Sequence, residues 1–258
     1  MTKLRFDGRV VVVTGAGRGI DGGGSSPTPA EDVVREINEA GGAIDAFRRI
    51  DAVINNAGIH DPGTFDELSV DQFRAMLDVH FFGTLFVTRA AWPDFAEAGY
   101  GRIVNNVPEA MLGGTPERTS YGTAKGAVFG LTRNLATEAA AQGIRVNAVA
   151  PRAYTRMSAS HSDALSEYLS MPKEVMDQIN ASMPPEMCAP AAAFLAHESC
   201  PLNGEILQVG MGGVSRIAVV HTPGIAKSPL TAEDIAENID AIMDARDARV
   251  TDTVSMEQ

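Results

Sequence analysis

Three short apolar runs, each closing on glycine, asparagine or proline, constrain the fold of this chain more than any other feature. Arg9 to Gly19 reads RVVVVTGAGRG, Asp51 to Gly58 reads DAVINNAG, and Gly143 to Pro151 reads GIRVNAVAP. Apolar runs without alternation are what strands buried on both faces require, and parallel sheets are covered on both faces. Their glycine and polar endings then gather beyond the carboxyl ends of the strands, where open α/β sheets hold ligands.

The same reading predicts strands over Val10–Thr14, Ala52–Asn55, Arg102–Asn105, Arg145–Ala150 and Glu205–Val209. Helices are expected over Pro29–Ala40, over Ser69–Leu77 running on through Phe82–Glu97, over Ser120–Gln142, and around Pro190–His197. Thr28, Pro29 and Glu31 form a helix start, with a capping hydroxyl, a proline at the first helical position and a glutamate three residues on. Ser69 caps the next helix, and Asp71 suits its positive end. Beyond Gly210 the chain reads as a strand or loop over Val214–Val220, a Thr222-Pro223-Gly224 turn, and a helix from Thr231. Ile235, Ile239 and Ile242 give that helix an apolar stripe. The class is α/β, a doubly wound parallel sheet of Rossmann type reduced to about five strands. A single domain covers 1–258, with a core over 8–209 and a C-terminal extension over 210–258.

Composition excludes some partners. A formal charge of −12 leaves no basic surface for phosphates, which argues against nucleic acid and anionic membranes. Two cysteines, Cys188 and Cys200, are too few for a disulfide framework and suit a reducing cytosol. Neither a secretory h-region nor an apolar run of spanning length occurs, so the expectation is a cytoplasmic protein.

Tyr121 and Lys125 carry the chemistry. Four residues apart on a helix, they share one face. An ammonium beside a phenol favours the phenolate and is expected to draw the Tyr121 pKa down from about 10, making a usable proton donor and acceptor. Gly15, Gly17 and Gly19 follow the first strand, as a loop does when its backbone N–H groups approach a pyrophosphate. A glycine-rich turn without a ligand has the same composition.

Thr14-Gly15-x-x-x-Gly19, Asn55-Asn56-Ala57-Gly58, Tyr121-x-x-x-Lys125 and Asn147-Ala148-x-Ala150-Pro151 occur in one order. In that set the chain resembles the short-chain dehydrogenase/reductase family, from about Gly8 to Val209. It is similar within that family to the subgroup of hydroxyacyl-CoA dehydrogenase modules. The resemblance implies hydride transfer between NAD or NADP and a small carbonyl or secondary alcohol substrate. It implies Tyr121 as acid/base and Lys125 as its partner. His80 stands where many relatives carry an asparagine that orders the proton relay. Cofactor contacts carried over are Gly15, Gly17, Gly19, Ile20, Asn56, Ala57, Gly58, Tyr121, Lys125, Pro151 and Thr155. A homodimer or homotetramer is expected, with the Tyr121 helix in an interface.

Departures from the family pattern bear on that expectation. After Ile20 stand Asp21 and the run Gly22 to Pro27, and the helix signals begin only at Thr28. The helix after the glycine loop and the strand that selects NAD or NADP are missing from the pattern, as is a second strand near Ala46 and Phe47. Pro108, thirteen residues before Tyr121, occupies the place of the family's serine. Proline offers neither a hydroxyl nor a backbone N–H to a developing oxyanion. Asn106 is a substitute donor if the loop shifts. Arg152, where glycine is usual, is expected to point to solvent rather than clamp an acidic group. These departures support an alternative, a catalytically impaired or non-enzymatic member. No residue here identifies the substrate.

Overall fold

The computed structural model describes residues 4–15, 49–159 and 162–251. Gly17, Gly19, Ile20, Asp21, the predicted helix Pro29–Ala40 and the Ala46–Phe47 junction lie outside the described residues.

The sheet begins with β1 (Val11–Val13) and β2 (Ala52–Asn55). Next come helix α1 (Val70–Leu77), a π-helical turn Asp78–Phe82, and helix α2 (Gly83–Ala98). Strand β3 (Gly101–Asn106) leads through a 3₁₀ turn, Glu109–Leu112, to helix α3 (Thr119–Ala139) and strand β4 (Ile144–Pro151). The short helices α4 (Arg156–Ala159), α5 (Ser162–Tyr168) and α6 (Lys173–Ala181) precede α7 (Ala189–Ala196), which returns the chain to β5 (Ile206–Gly210). Strand β6 (Gly213–Ile217) adds a sixth strand where the sequence left a choice between strand and loop.

Strand order is β1-β2-β3-β4-β5-β6, and the four pairs from β1 to β5 are parallel. In register, Asn55 lies beside Asn105, and Asn106 beside Val149. The motif endings Thr14, Asn56, Asn106 and Pro151 therefore emerge at one edge of the sheet. Sequential parallel strands need a covering crossover at each step, and the central strands β2 to β4 are buried along most of their length.

On one face, Ala91 and Phe95 of α2 and Ala136 and Ala139 of α3 pack on Val53, Ile103 and Val146. On the other, Ala191 and Leu195 of α7 pack on Ala52, Val104 and Val149. Phe95 is fully buried because Gly101 makes room for it: a Cβ at 101 would lie 2.6 Å from its ring. Ser69 caps α1 with a complete capping box to Gln72, a stronger start than Asp71 alone supplies.

The described chain divides into two compact units, Met1–Arg216 and Ile217–Gln258. The second pairs β7 (Val220–His221) antiparallel with β8 (Arg249–Val250) and carries two short helices, α8 (Ala232–Glu237) and α9 (Ile239–Met243). The helix starts at Thr231 as the sequence predicts, capped through Asp234, but it breaks at Asn238, and Ile235 and Ile239 are 43% and 48% exposed. The predicted apolar stripe is not a buried face of this unit.

Candidate active site

Tyr121 and Lys125 lie in the first turns of α3 and are both buried, at 8% and 4% exposure. The Lys125 Nζ lies 5.7 Å from the Tyr121 ring centroid and donates a hydrogen bond of 2.9 Å to the main-chain oxygen of Asn106. Gly122 allows this placement. A Cβ there would stand 2.6 Å from the carbonyl oxygen of Ala110, so the helix could not approach the Glu109–Leu112 turn with any larger residue.

Burial, not mutual attraction, governs the titration of the pair. It pushes the Tyr121 phenol up to about 12, with Arg118 opposing weakly, and pushes the Lys125 ammonium down to about 7. The expectation of a lowered Tyr121 pKa is therefore overturned: burial outweighs the neighbouring charge. A low-dielectric site disfavours phenolate and ammonium alike. It is Lys125 whose proton is loosened instead.

His80 is brought to this pair by the π-helical turn, which interrupts what the sequence reads as one continuing helix. Its ring meets that of Tyr121 edge-to-face, with centroids 5.1 Å apart. Its Nε2 lies 2.8 Å from the Ile59 carbonyl oxygen and 3.4 Å from the Ile59 main-chain nitrogen, so the Ile59 backbone anchors this end of the ring. Burial and the nearby Lys125 charge, against the Ile59 bond, lower its pKa to about 3, so the imidazole is neutral. Nδ1 is buried without a hydrogen-bond partner among the described residues. A π-turn of this kind is a frequent mark of a functional site, and no periodicity signals it.

The strand-end motifs converge on the same edge. Thr14 Oγ1 accepts hydrogen bonds from the N–H groups of Asn56 and Ala57, at 3.0 and 3.1 Å. Gly15, at φ +71°, packs against Ala57 so closely that a Cβ would lie 2.9 Å from its Cα. Asn56 Oδ1 accepts from Asn106 Nδ2 at 3.2 Å. Asn106 is thus engaged with Asn56 through its side chain and with Lys125 through its carbonyl, rather than replacing the missing serine. Pro108 starts the Glu109–Leu112 turn.

Pro151 ends β4, and Thr155 exchanges contacts with Ser158 at the start of α4, its N–H donating to Ser158 Oγ at 2.7 Å. Arg152 does not point freely to solvent. It forms a two-pronged ion pair with Glu109, 2.7 Å on each arm. That bond ties the end of β4 to the turn after Pro108.

Beneath the site runs a buried polar chain that the sequence does not announce. Asn55 Nδ2 donates to Thr88 Oγ1 at 3.2 Å and to Asn105 Oδ1 at 2.9 Å, and Asn105 Nδ2 donates to Thr132 Oγ1 at 2.9 Å. It links α2, β2, β3 and α3. Asn147 is likewise structural: it receives the Glu205 N–H at 3.0 Å and donates to the Leu202 carbonyl at 2.9 Å. Cys188 and Cys200 are buried and unbridged. Among the described residues no cluster of metal ligands occurs, and no helix is long and apolar enough to cross a membrane.

Residues 31–214 match the family model described as enoyl-(acyl carrier protein) reductase. A Mycobacterium tuberculosis protein named as a short-chain type dehydrogenase/reductase is 35% identical over 96% of this chain and 90% of its own length. The chain belongs to the short-chain dehydrogenase/reductase family. The mouse peroxisomal multifunctional enzyme type 2 is 31% identical over 97% of this chain, which spans 39% of that enzyme. Among solved structures, a short chain dehydrogenase from Mycobacterium avium superposes with a TM-score of 0.69 at 27% identity, over 92% of this chain and 95% of that one. Two more dehydrogenases of this fold, each with a TM-score of 0.64 and 26% identity, are a Burkholderia cenocepacia gluconate 5-dehydrogenase in complex with NADP and a 7α-hydroxysteroid dehydrogenase in complex with NADH. They cover 81% and 83% of this chain, and 96% and 98% of their own. As a member of this family, the chain is an NAD(P)-dependent oxidoreductase.

Proposed function

We propose that this chain moves a hydride between a nicotinamide dinucleotide and the carbon of a small carbonyl or secondary alcohol, with Tyr121 as acid/base at the substrate oxygen. The observation that carries the reading is the buried Tyr121, Lys125 and His80 cluster at the edge where the strand-end motifs converge.

The described residues fit such a cofactor on one side. Among them Lys125 gives one hydrogen bond, to Asn106, and an ammonium has two further donors suited to a ribose diol. Gly15, Asn56, Ala57, Gly58, Pro151 and Thr155 would complete the holding surface, with Gly17, Gly19 and Ile20 as the remaining sequence-level candidates. When bound, the nicotinamide supplies or accepts the hydride. Tyr121 keeps its proton at neutral pH and donates it to the substrate oxygen in reduction. Lys125, whose ammonium gives up its proton more readily because it is buried, returns a proton toward the phenol. His80, held neutral by burial, fixes the geometry beside them. Phe82 and Phe86, stacked and 39% and 64% exposed around the start of α2, support an oligomer, dimer or tetramer, that covers them.

Titration of the purified protein with NADH and with NADPH, followed by reduced-nicotinamide fluorescence, tests the cofactor and reads out which one is used. Binding of at least one at submillimolar concentration is expected; no binding of either at millimolar concentration would refute the reading. In turnover, Tyr121→Phe is expected to remove carbonyl reduction, and an unaffected variant would exclude the mechanism.

A further inference from the structure

Two imidazoles, not one, meet the Tyr121 ring. His60 lies with its centroid 5.0 Å from that of Tyr121 and its plane at 84°, while His80 stands at 5.1 Å and 82°. They come from different elements: His60 from the loop after β2, His80 from the π-turn after α1. Ile59 connects them, because its carbonyl holds His80 Nε2 and it directly precedes His60 in the chain. Met76 and Ala124 are buried with Tyr121, and Leu77 and Ala110 pack against that cluster.

Resting on the reading above, we propose that His60 is a positioning residue that sets, with His80, the plane of the Tyr121 phenol. The reason is at position 108. Proline has no hydroxyl or N–H with which to fix the phenol or its substrate from that loop, and the Asn106 side chain is committed to Asn56. Orientation of the phenol then falls to ring packing. Edge-to-face pairs prefer one arrangement over others by enough to matter, and two such pairs from two elements restrict rotation more than either alone. Ile59 makes the pair act together, since a shift of the loop moves His60 and the anchor of His80 at once.

Ring-labelled tyrosine NMR of the full chain with NADH or NADPH bound reads this directly. Wild-type Tyr121, assigned by loss in Tyr121→Phe, should show separate signals for the two sides of its ring. His60→Ala should average them by faster flipping, and His60→Phe should restore the separation. Reduction of acetoacetyl-CoA, used as a 3-oxoacyl thioester probe, should lose about two- to tenfold in kcat in His60→Ala, with the nicotinamide KM unchanged and most of kcat recovered in His60→Phe. Unaltered Tyr121 signals in His60→Ala, or rescue by His60→Gln but not by His60→Phe, would overturn the assignment. Loss of the underlying reading looks different: turnover would then survive in Tyr121→Phe, whatever His60 does.

Discussion

Gly58 and His80 share a space that holds only one side chain. A Cβ at position 58 would lie 2.7 Å from His80 Cε1 and 3.3 Å from its Nδ1. The last residue of the Asn56-Ala57-Gly58 motif is therefore a packing requirement of the imidazole, whatever else it touches.

Gly58→Ala should displace His80 and cost about 1–3 kcal/mol of overpacking. Thermal unfolding should shift down by several degrees, and kcat should fall with it. His80→Asn in the same chain should recover much of the stability. Strictly additive effects of the two changes would show that the contact is not the cause.

Lys125 gives stability a pH dependence above neutrality. Its pKa is about 7 folded against the ordinary value of 10.5, so between those values the unfolded chain binds a proton that the folded one refuses. Stability should rise from pH 7 towards 10.5 on this account and be flat below 7. Lys125→Met should be more stable than wild type at pH 7 by up to a few kcal/mol, a gap that closes by about pH 10.5. Urea denaturation across that range measures it; a constant gap would contradict the depressed pKa.

Asn105→Ala should cost about 1–3 kcal/mol, because it strands one donor direction of Asn55 inside the sheet and removes the donor to Thr132, whose hydroxyl keeps only its bond to the Val128 carbonyl. Adding Asn55→Ala should cost less than the sum of the single changes, as expected for one connected chain. Chemical denaturation of the three variants decides this. Arg152→Ala is the contrast: its partner Glu109 is 40% exposed, and the loss should stay below about 1 kcal/mol and shrink with salt.

Pro108→Ser should raise kcat for carbonyl reduction, since one added oxyanion donor is worth up to about 10² to 10³ in rate where its geometry is ideal. Pro108 is extended, at φ −67° and ψ 165°, which serine adopts without strain. A kcat unchanged in Pro108→Ser, measured beside an active wild type, would show that position 108 does not face the substrate oxygen.

The strands and the family were legible because each rests on local composition. Val11–Val13, Ala52–Asn55 and Ile144–Pro151 fall within two residues of their predicted bounds. Ala52–Asn55 is a run of three apolar residues closed by a buried asparagine, and Ile144–Pro151 is buried along most of its length despite Arg145 and Asn147. Val11–Val13 is as apolar but ends on an exposed Val13. Tyr121 and Lys125 were legible for a similar reason, since helical spacing alone puts them on one face. What spacing could not supply was solvent. The lowered Tyr121 pKa expected from a neighbouring charge gives way to a raised one, because α3 is packed into the Glu109–Leu112 turn through Gly122 and both groups lose water.

The sequence by itself determined five parallel strands and the motif endings that would meet at their carboxyl edge, since periodicity and turn chemistry act over a few residues; the sixth strand, Gly213–Ile217, it left open. Only the tertiary structure decided how those residues stand to one another. A π-turn aims His80 inward, Ile59 anchors it, and His60 arrives from another loop. Arg152 finds Glu109 across 43 residues of chain. These are contacts between segments far apart in sequence, and close packing, not local preference, selects them.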